Sequence, residues 1–212
     1  MKNEMKLKII DNFFSEQDFK EILSIQLKHI GSKEVKVYHN SIDKFEKTNV
    51  ECISKNFLIK LHKNYHMKAI NLLKELNPEK VDLYDYSEFH IIETGADCKF
   101  PIHDDTPNKL LSGVVYVRPK TNVGTIFYTS KSGKGKKIVD WKMNRAVFFS
   151  RIERETWHSY EGDGKSNRIA LVYNLMTNKI KDVYKIEKKS YFIGQLRHKI
   201  NPYLYKYFKF TV

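Results

Sequence analysis

Thr156-Trp157-His158-Ser159-Tyr160, then Glu161-Gly162-Asp163-Gly164-Lys165, then Asn167-Arg168-Ile169-Ala170-Leu171-Val172-Tyr173: on this stretch the reading of the fold turns. Two runs rich in aromatic and branched residues flank a Gly-Asp-Gly segment, the pattern of two strands and a turn. Upstream, short runs of the same kind recur at Val81–Thr94, Leu110–Val117, Gly124–Thr129 and Ala146–Ser150. Clusters of Gly, Asp, Asn, Pro or Lys separate them, so a sandwich or jelly-roll barrel is expected over 81–176. Residues 1–80 read as mainly helical. Lys6–Ile10 is a short strand, Ser15 opens a helical pattern from Asp18 to His29, and Ser54 caps a helix over Lys55–Leu76 that Pro78 stops. The remainder, 177–212, is a C-terminal extension. Thr177–Lys189 is Lys-rich, and Tyr191–Val212 is apolar enough to pack back on the domain.

The composition sets outer bounds. With 212 residues, 41% apolar residues, 30% charged residues, 9 Gly and 5 Pro, the chain is neither collagenous nor disordered throughout. It is long enough for one domain with a real core. No apolar run approaches the length of a membrane span, and Met1–Lys8 lacks the apolar region of a signal peptide. Cys52 and Cys98 have no metal-site or disulfide-framework spacing. A cytoplasmic protein is the expectation. The net charge is +13, and 6 of the 38 basic residues are Arg. Such a balance suits either a polyanionic partner such as nucleic acid or a Lys-rich solubilising surface.

Chemistry concentrates at two places. In Phe100-Pro101-Ile102-His103-Asp104-Asp105, a strand would turn His103 and Asp105 to one face and Asp104 to the other. His158 supplies a second imidazole. Read as an antiparallel hairpin centred on Asp163, the later stretch places Arg168 opposite His158. Two imidazoles and a carboxylate make the facial triad of a non-haem Fe(II) site. Three iron positions stay open for a chelating α-keto acid and dioxygen. A bidentate Arg suits the far carboxylate of the keto acid. Singly, each residue also reads as a surface turn, a strand-end cation or a satisfied buried imidazole.

Together the residues resemble the Fe(II)/2-oxoglutarate-dependent oxygenases, in particular the prolyl 4-hydroxylase-like branch. The pattern there is His-x-Asp, about fifty residues, His, and a basic residue nine or ten positions later. Leu110–Val117, Val123-Gly124-Thr125-Ile126-Phe127, Ala146-Val147-Phe148-Phe149 and the opening Ile9-Ile10-Asp11-Asn12-Phe13-Phe14 resemble family segments in the same order. The resemblance implies a mainly β fold with flanking helices (α+β). Its core is a double-stranded β-helix of the jelly-roll or cupin kind, supported by the N-terminal helices, in one domain over 1–212. It implies His103, Asp105 and His158 as Fe(II) ligands, with Arg168 and Tyr116 on 2-oxoglutarate. Dioxygen is the co-substrate, and ascorbate serves as a reductant. No catalytic group beyond the metal ligands is implied, and Trp157, Thr106 and Glu93 are candidates for the pocket wall. The implied reaction hydroxylates a substrate while 2-oxoglutarate decarboxylates to succinate and carbon dioxide. A peptide or protein side chain is the first expectation for that substrate. The alternatives are a metabolite or nucleic acid, or a jelly roll that binds metal and ligand without turnover. Two departures stand out. Glu93 occupies a position where the family often has an aromatic, and Ile169-Ala170 after Arg168 supplies no hydroxyl for the cosubstrate.

Overall fold

The computed structural model describes residues 6–208. Strand β1 (Lys8–Ile10) is followed by helix α1 (Glu16–Leu23), short strands β2 (Val35–Tyr38), β3 (Ser41–Asp43) and β4 (Thr48–Asn49), and helix α2 (Lys55–Leu76). A 3-10 helix, Pro78–Leu83, leads into β5 (Tyr86–Thr94), β6 (Lys99–His103), β7 (Lys109–Arg118), β8 (Ile126–Tyr128), β9 (Lys137–Ile138), β10 (Ala146–Phe149), β11 (Trp157–Glu161) and β12 (Arg168–Met176). Helices α3 (Ile180–Ile186) and α4 (Tyr191–Phe208) close the chain. None of the described helices is long and apolar enough to cross a membrane.

The strands form two sheets. The larger runs β1-β10-β7-β12-β5-β3-β4, with β2 also paired to β5, and the smaller runs β6-β11-β8-β9. From β5 to β12 the chain passes repeatedly between them. The two faces of the larger sheet are used differently, as period-two alternation requires. Phe89, Ile91, Val115, Phe148, Leu171 and Tyr173 face the helices and pack with Phe57, Leu58, Leu61 and Leu73 of α2. Ile92, Val114, Phe149, Ala170 and Val172, one residue out of phase, line a cavity. The helices are therefore the hydrophobic backing that frees the opposite face for a site. Helix α2 starts where expected because Ser54 Oγ accepts the Phe57 N–H at 3.1 Å, satisfying one of the donors a helix start leaves over.

Several expectations need correction. β11 and β12 do not form a hairpin: β11 pairs with β6 and β8, and β12 with β5 and β7. The connecting turn is bonded elsewhere, with Gly162 N–H donating to Cys98 O at 2.8 Å and Gly164 N–H to Ala96 O at 3.0 Å. It is tied to the β5–β6 connection and carries the chain from one sheet to the other. Helix α1 ends at Leu23 rather than near His29, capped by Ser24. The first part of Val81–Thr94 is 3-10 helix, not strand. Strands β2 to β4 carried no clear pattern. The C-terminal extension is helical, and its last residues, 209–212, like Met1–Met5, lie outside the described residues.

Candidate metal centre and its cavity

The smaller sheet brings the two imidazoles together. His158 on β11 is the register partner of His103 on β6, so both rings point to one face, with centroids 4.4 Å apart. Asp105 follows two residues after His103, just past the end of β6. One ligand atom from each of His103, Asp105 and His158 lies within 4.8 Å of the others. Each imidazole is held from behind by a carbonyl. His103 Nδ1 lies 2.8 Å from Pro101 O and His158 Nδ1 lies 3.0 Å from Thr156 O. A carbonyl only accepts, so Nδ1 carries the proton and Nε2 keeps its lone pair for a metal. Burial, reinforced by the neighbouring His103, pushes His158 down to about 4, so it is neutral at neutral pH. Burial opposes ionisation of Asp105, but Lys109 and the two imidazoles outweigh it and hold the carboxyl well below the usual range. The Asp105 carboxylate accepts from Lys109 Nζ at 2.7 Å and from Ser112 Oγ at 2.5 Å.

The cavity between the sheets has a volume of about 160 Å³ and is lined by all three of these residues, by Arg168, and by apolar side chains of the larger sheet. Arg168 begins β12 and lies opposite Thr94 of β5. Its guanidinium carbon sits 3.1 Å from the centroid of the Tyr160 ring. Burial pushes Arg168 down to about 10, so it stays charged at neutral pH. Its Nε has no hydrogen-bond partner, and Nη1 has a long contact of 3.4 Å to Val123 O. A buried cation with so few acceptors is costly unless an anion meets it.

Other residues singled out in the sequence stand away from this wall. Tyr116 does not line the cavity but is fully buried on the same face of β7 as Ser112 and Val114, where its Oη accepts the Thr125 N–H at 2.8 Å and donates to Thr125 Oγ1 at 3.1 Å. Thr125 itself lines the cavity. Glu93 lies between Ile92 and Thr94, which both face the cavity, so its side chain takes the other face of β5. Trp157 precedes His158 on β11 and takes the outer face, with Lys131 Nζ 5.9 Å from its ring. Thr106 is exposed. Residues the sequence reading missed are Lys109, Ser112, Tyr160 in its contact with Arg168, and Asn174. Lys109 was signalled only by its four-residue distance from Asp105. Ser112 and Asn174 become neighbours through the β7–β12 register, which no local pattern reveals.

No protein-family model and no curated protein matches the chain at the level of sequence. Solved structures do resemble it. A Pseudomonas putida prolyl-4-hydroxylase superposes with a TM-score of 0.52 at 11% identity, covering 82% of this chain and 94% of that one. A 2OG-Fe(II) oxygenase family oxidoreductase from Burkholderia pseudomallei gives 0.57 at 12% identity, with coverages of 80% and 85%. A prolyl hydroxylase from Trichoplax adhaerens, in complex with a peptide fragment of hypoxia inducible factor, gives 0.53 at 15%, with coverages of 84% and 86%. The chain therefore has the fold of the 2OG-Fe(II) oxygenases.

Proposed function

We propose that the protein is an Fe(II)- and 2-oxoglutarate-dependent dioxygenase that hydroxylates a substrate, with a peptide or protein side chain as the first candidate. The carrying observation is the convergence of two imidazoles and one carboxylate in a cavity that also holds a buried, under-partnered Arg. On this reading β5 to β12 form a double-stranded β-helix within a single domain. The donor set fits Fe(II): two imidazole nitrogens and a carboxylate oxygen, with no thiolate. His103, Asp105 and His158 would hold the metal. Arg168 would pair with the far carboxylate of 2-oxoglutarate, and Tyr116 would act there by holding Thr125 in the wall. When bound, iron and 2-oxoglutarate would allow dioxygen to serve as the oxidant, one oxygen atom going to succinate and the other to the hydroxylated substrate.

The protein's own contribution is placement. The carbonyls of Pro101 and Thr156 fix the imidazole protons on Nδ1. Lys109 and Ser112 keep Asp105 ionised and oriented. The apolar residues Ile92, Val114, Phe149 and Val172 limit water around the reacting atoms. The likeness to a peptide-bound prolyl hydroxylase supports a peptide substrate. The net charge of +13 supports nucleic acid as a second reading.

Anaerobic titration with Fe(II) and then 2-oxoglutarate tests the cofactor assignment. Wild type should develop a weak visible metal-to-ligand band. His158→Ala should abolish it, and Arg168→Ala should weaken it at fixed 2-oxoglutarate. A folded wild type that binds no iron would remove this reading and leave a binding module of another kind.

A further inference from the structure

Directly behind the candidate ligands lies a second cluster of charge, in which three cations meet three carboxylates. Lys80, Arg151 and Arg197 are paired with Asp104, Glu153 and Glu187, and every one of these side chains is at most 6% exposed. Lys80 Nζ contacts Glu187 Oε1 at 2.6 Å and also donates to the Arg151 carbonyl. Arg151 binds Glu187 Oε2 at 2.7 Å and also pairs with Glu153. Arg197 Nη2 lies 2.8 Å from Asp104 Oδ2 and 2.8 Å from Glu153 Oε1. Its Nε and Nη1 have no partner, so those two carboxylates are what hold the guanidinium.

The cluster touches both halves of the metal site. Asp104 stands between two of the ligands, His103 and Asp105, and its carboxylate is gripped by Arg197 and by the Arg154 N–H at 2.8 Å. Arg151 Nε donates to the backbone carbonyl of Asp105 at 3.1 Å. The segment 151–156, which carries Arg151, Glu153 and the Arg154 N–H, runs directly into β11 and His158. Glu187 anchors that segment again by accepting the Glu153 N–H at 2.9 Å. One buried ionic cluster, supplied by the 3-10 helix, the end of α3 and α4, thus grips the backbone on either side of the triad.

We infer that Arg197 of α4 is a positioning residue for the metal centre: through Asp104 and Glu153 it sets the separation between the His103–Asp105 segment and the strand that carries His158. This rests on the reading of His103, Asp105 and His158 as metal ligands. The C-terminal extension is then part of the site, although it contributes no ligand. Asp104, which points away from the cavity, has the role of a handle on the two ligands beside it. A buried charge network costs desolvation and is a poor source of net stability. Its contribution here is geometry, because breaking one arm lets the two ligand segments move apart.

Cobalt(II) is the probe, followed by its visible absorption and by direct titration of affinity, which need neither substrate nor turnover. Arg197→Met and Asp104→Asn should each weaken Co(II) binding by roughly 10–100-fold, the usual cost of losing an outer partner of a metal ligand, and should alter the band shape. Arg197→Lys should recover part of the affinity. The double variant should lose little more than either single one, because both cut the same arm. Lys189→Met removes an exposed ion pair to Glu155 in the same segment and should leave affinity unchanged. Circular dichroism reports whether each variant folds. If Arg197→Met does not fold, Asp104→Asn, nearly isosteric, decides. Folded Asp104→Asn with wild-type affinity and spectrum overturns the inference while the metal centre stands. Wild type that binds no Co(II) overturns the ligand assignment itself, and this inference with it.

Discussion

Arg168 shows how much chemistry one side chain concentrates here. It is buried, charged, laid on the Tyr160 ring and short of acceptors. Its task in the proposed reaction needs a planar fork facing a carboxylate, which an ammonium on a flexible stem does not reproduce. Arg168→Lys should therefore raise the 2-oxoglutarate concentration needed for half-saturation by roughly 10–100-fold, the equivalent of about 1.5–3 kcal/mol for one charge-assisted hydrogen bond. Iron affinity should stay within about twofold, since Arg168 is no ligand. Equal loss of both affinities would show that Arg168 supports the fold of the site rather than the cosubstrate. His103, Asp105, His158 and Arg168 could be singled out as candidates in the sequence, and they share one cavity, because metal-binding chemistry restricts residue types and strand alternation restricts spacing. Lys109 and Ser112 were not legible, since Lys and Ser carry no signal of their own until a fold puts them against a carboxylate.

Strand β7 carries a tighter constraint than its pattern suggests. It lies between β10 and β12, and one face serves the aromatic core while the other serves the cavity. Gly113 lies where these demands meet. A Cβ there would stand 2.2 Å from the Phe148 ring and 2.7 Å from Tyr173 O, too close for either to remain in place. Gly113→Ala should destabilise the protein by about 1–3 kcal/mol, the range for overpacking a filled core. Gly31→Ala, where a Cβ would meet the Glu34 side chain at an ordinary 3.5 Å, should change stability by less than about 0.5 kcal/mol. Urea unfolding of the two variants makes the comparison, and equal midpoints would contradict the packing argument. Helix α2 was readable to its ends, because a Ser cap, a 3.6-residue apolar period and a terminal Pro are all local signals. Helix α4 was not assigned. Its apolar side chains Phe192, Ile193 and Leu196 share one face that stays exposed, so no apolar stripe turns inward, and a buried Arg, Arg197, is among the residues that tie it down.

Across the molecule, the buried imidazoles and the paired carboxylates predict a two-stage response to acid. Burial pushes His62, His158 and His198 down to about 4. The unfolded chain protonates these residues near pH 6.5, so stability starts to fall as pH drops below that value. Asp104 and Glu88 are held below their usual range. Burial opposes this, but Arg197 prevails at Asp104, and His90 with Asn174 at Glu88. Their stabilisation is complete above the unfolded carboxyl value of about 4 and is lost below it. Thermal unfolding of the metal-free protein should therefore show a melting temperature that declines from about pH 6.5 and steepens below about pH 4. A melting temperature flat between pH 7 and pH 5 would show that the imidazoles are not held neutral by the fold.

The amino-acid order alone carried the β-rich character of 81–176, the helix over Lys55–Leu76, and the types and spacing of the candidate ligands. Each follows from local rules: a two-residue alternation, a 3.6-residue period, a cap, and the few side chains able to bind iron. Tertiary structure alone decided how those pieces meet. The sequence register placed Arg168 beside His158 by a hairpin. In the folded chain they share a cavity because β11 and β12 lie in different sheets whose inner faces meet. Likewise Lys80, Arg151 and Arg197 are indistinguishable among 38 basic residues until folding removes them from water and sets each against the carboxylates beside it. Strand pairing and burial are set by contacts between residues far apart in the chain, and no local pattern encodes which of the available partners is met.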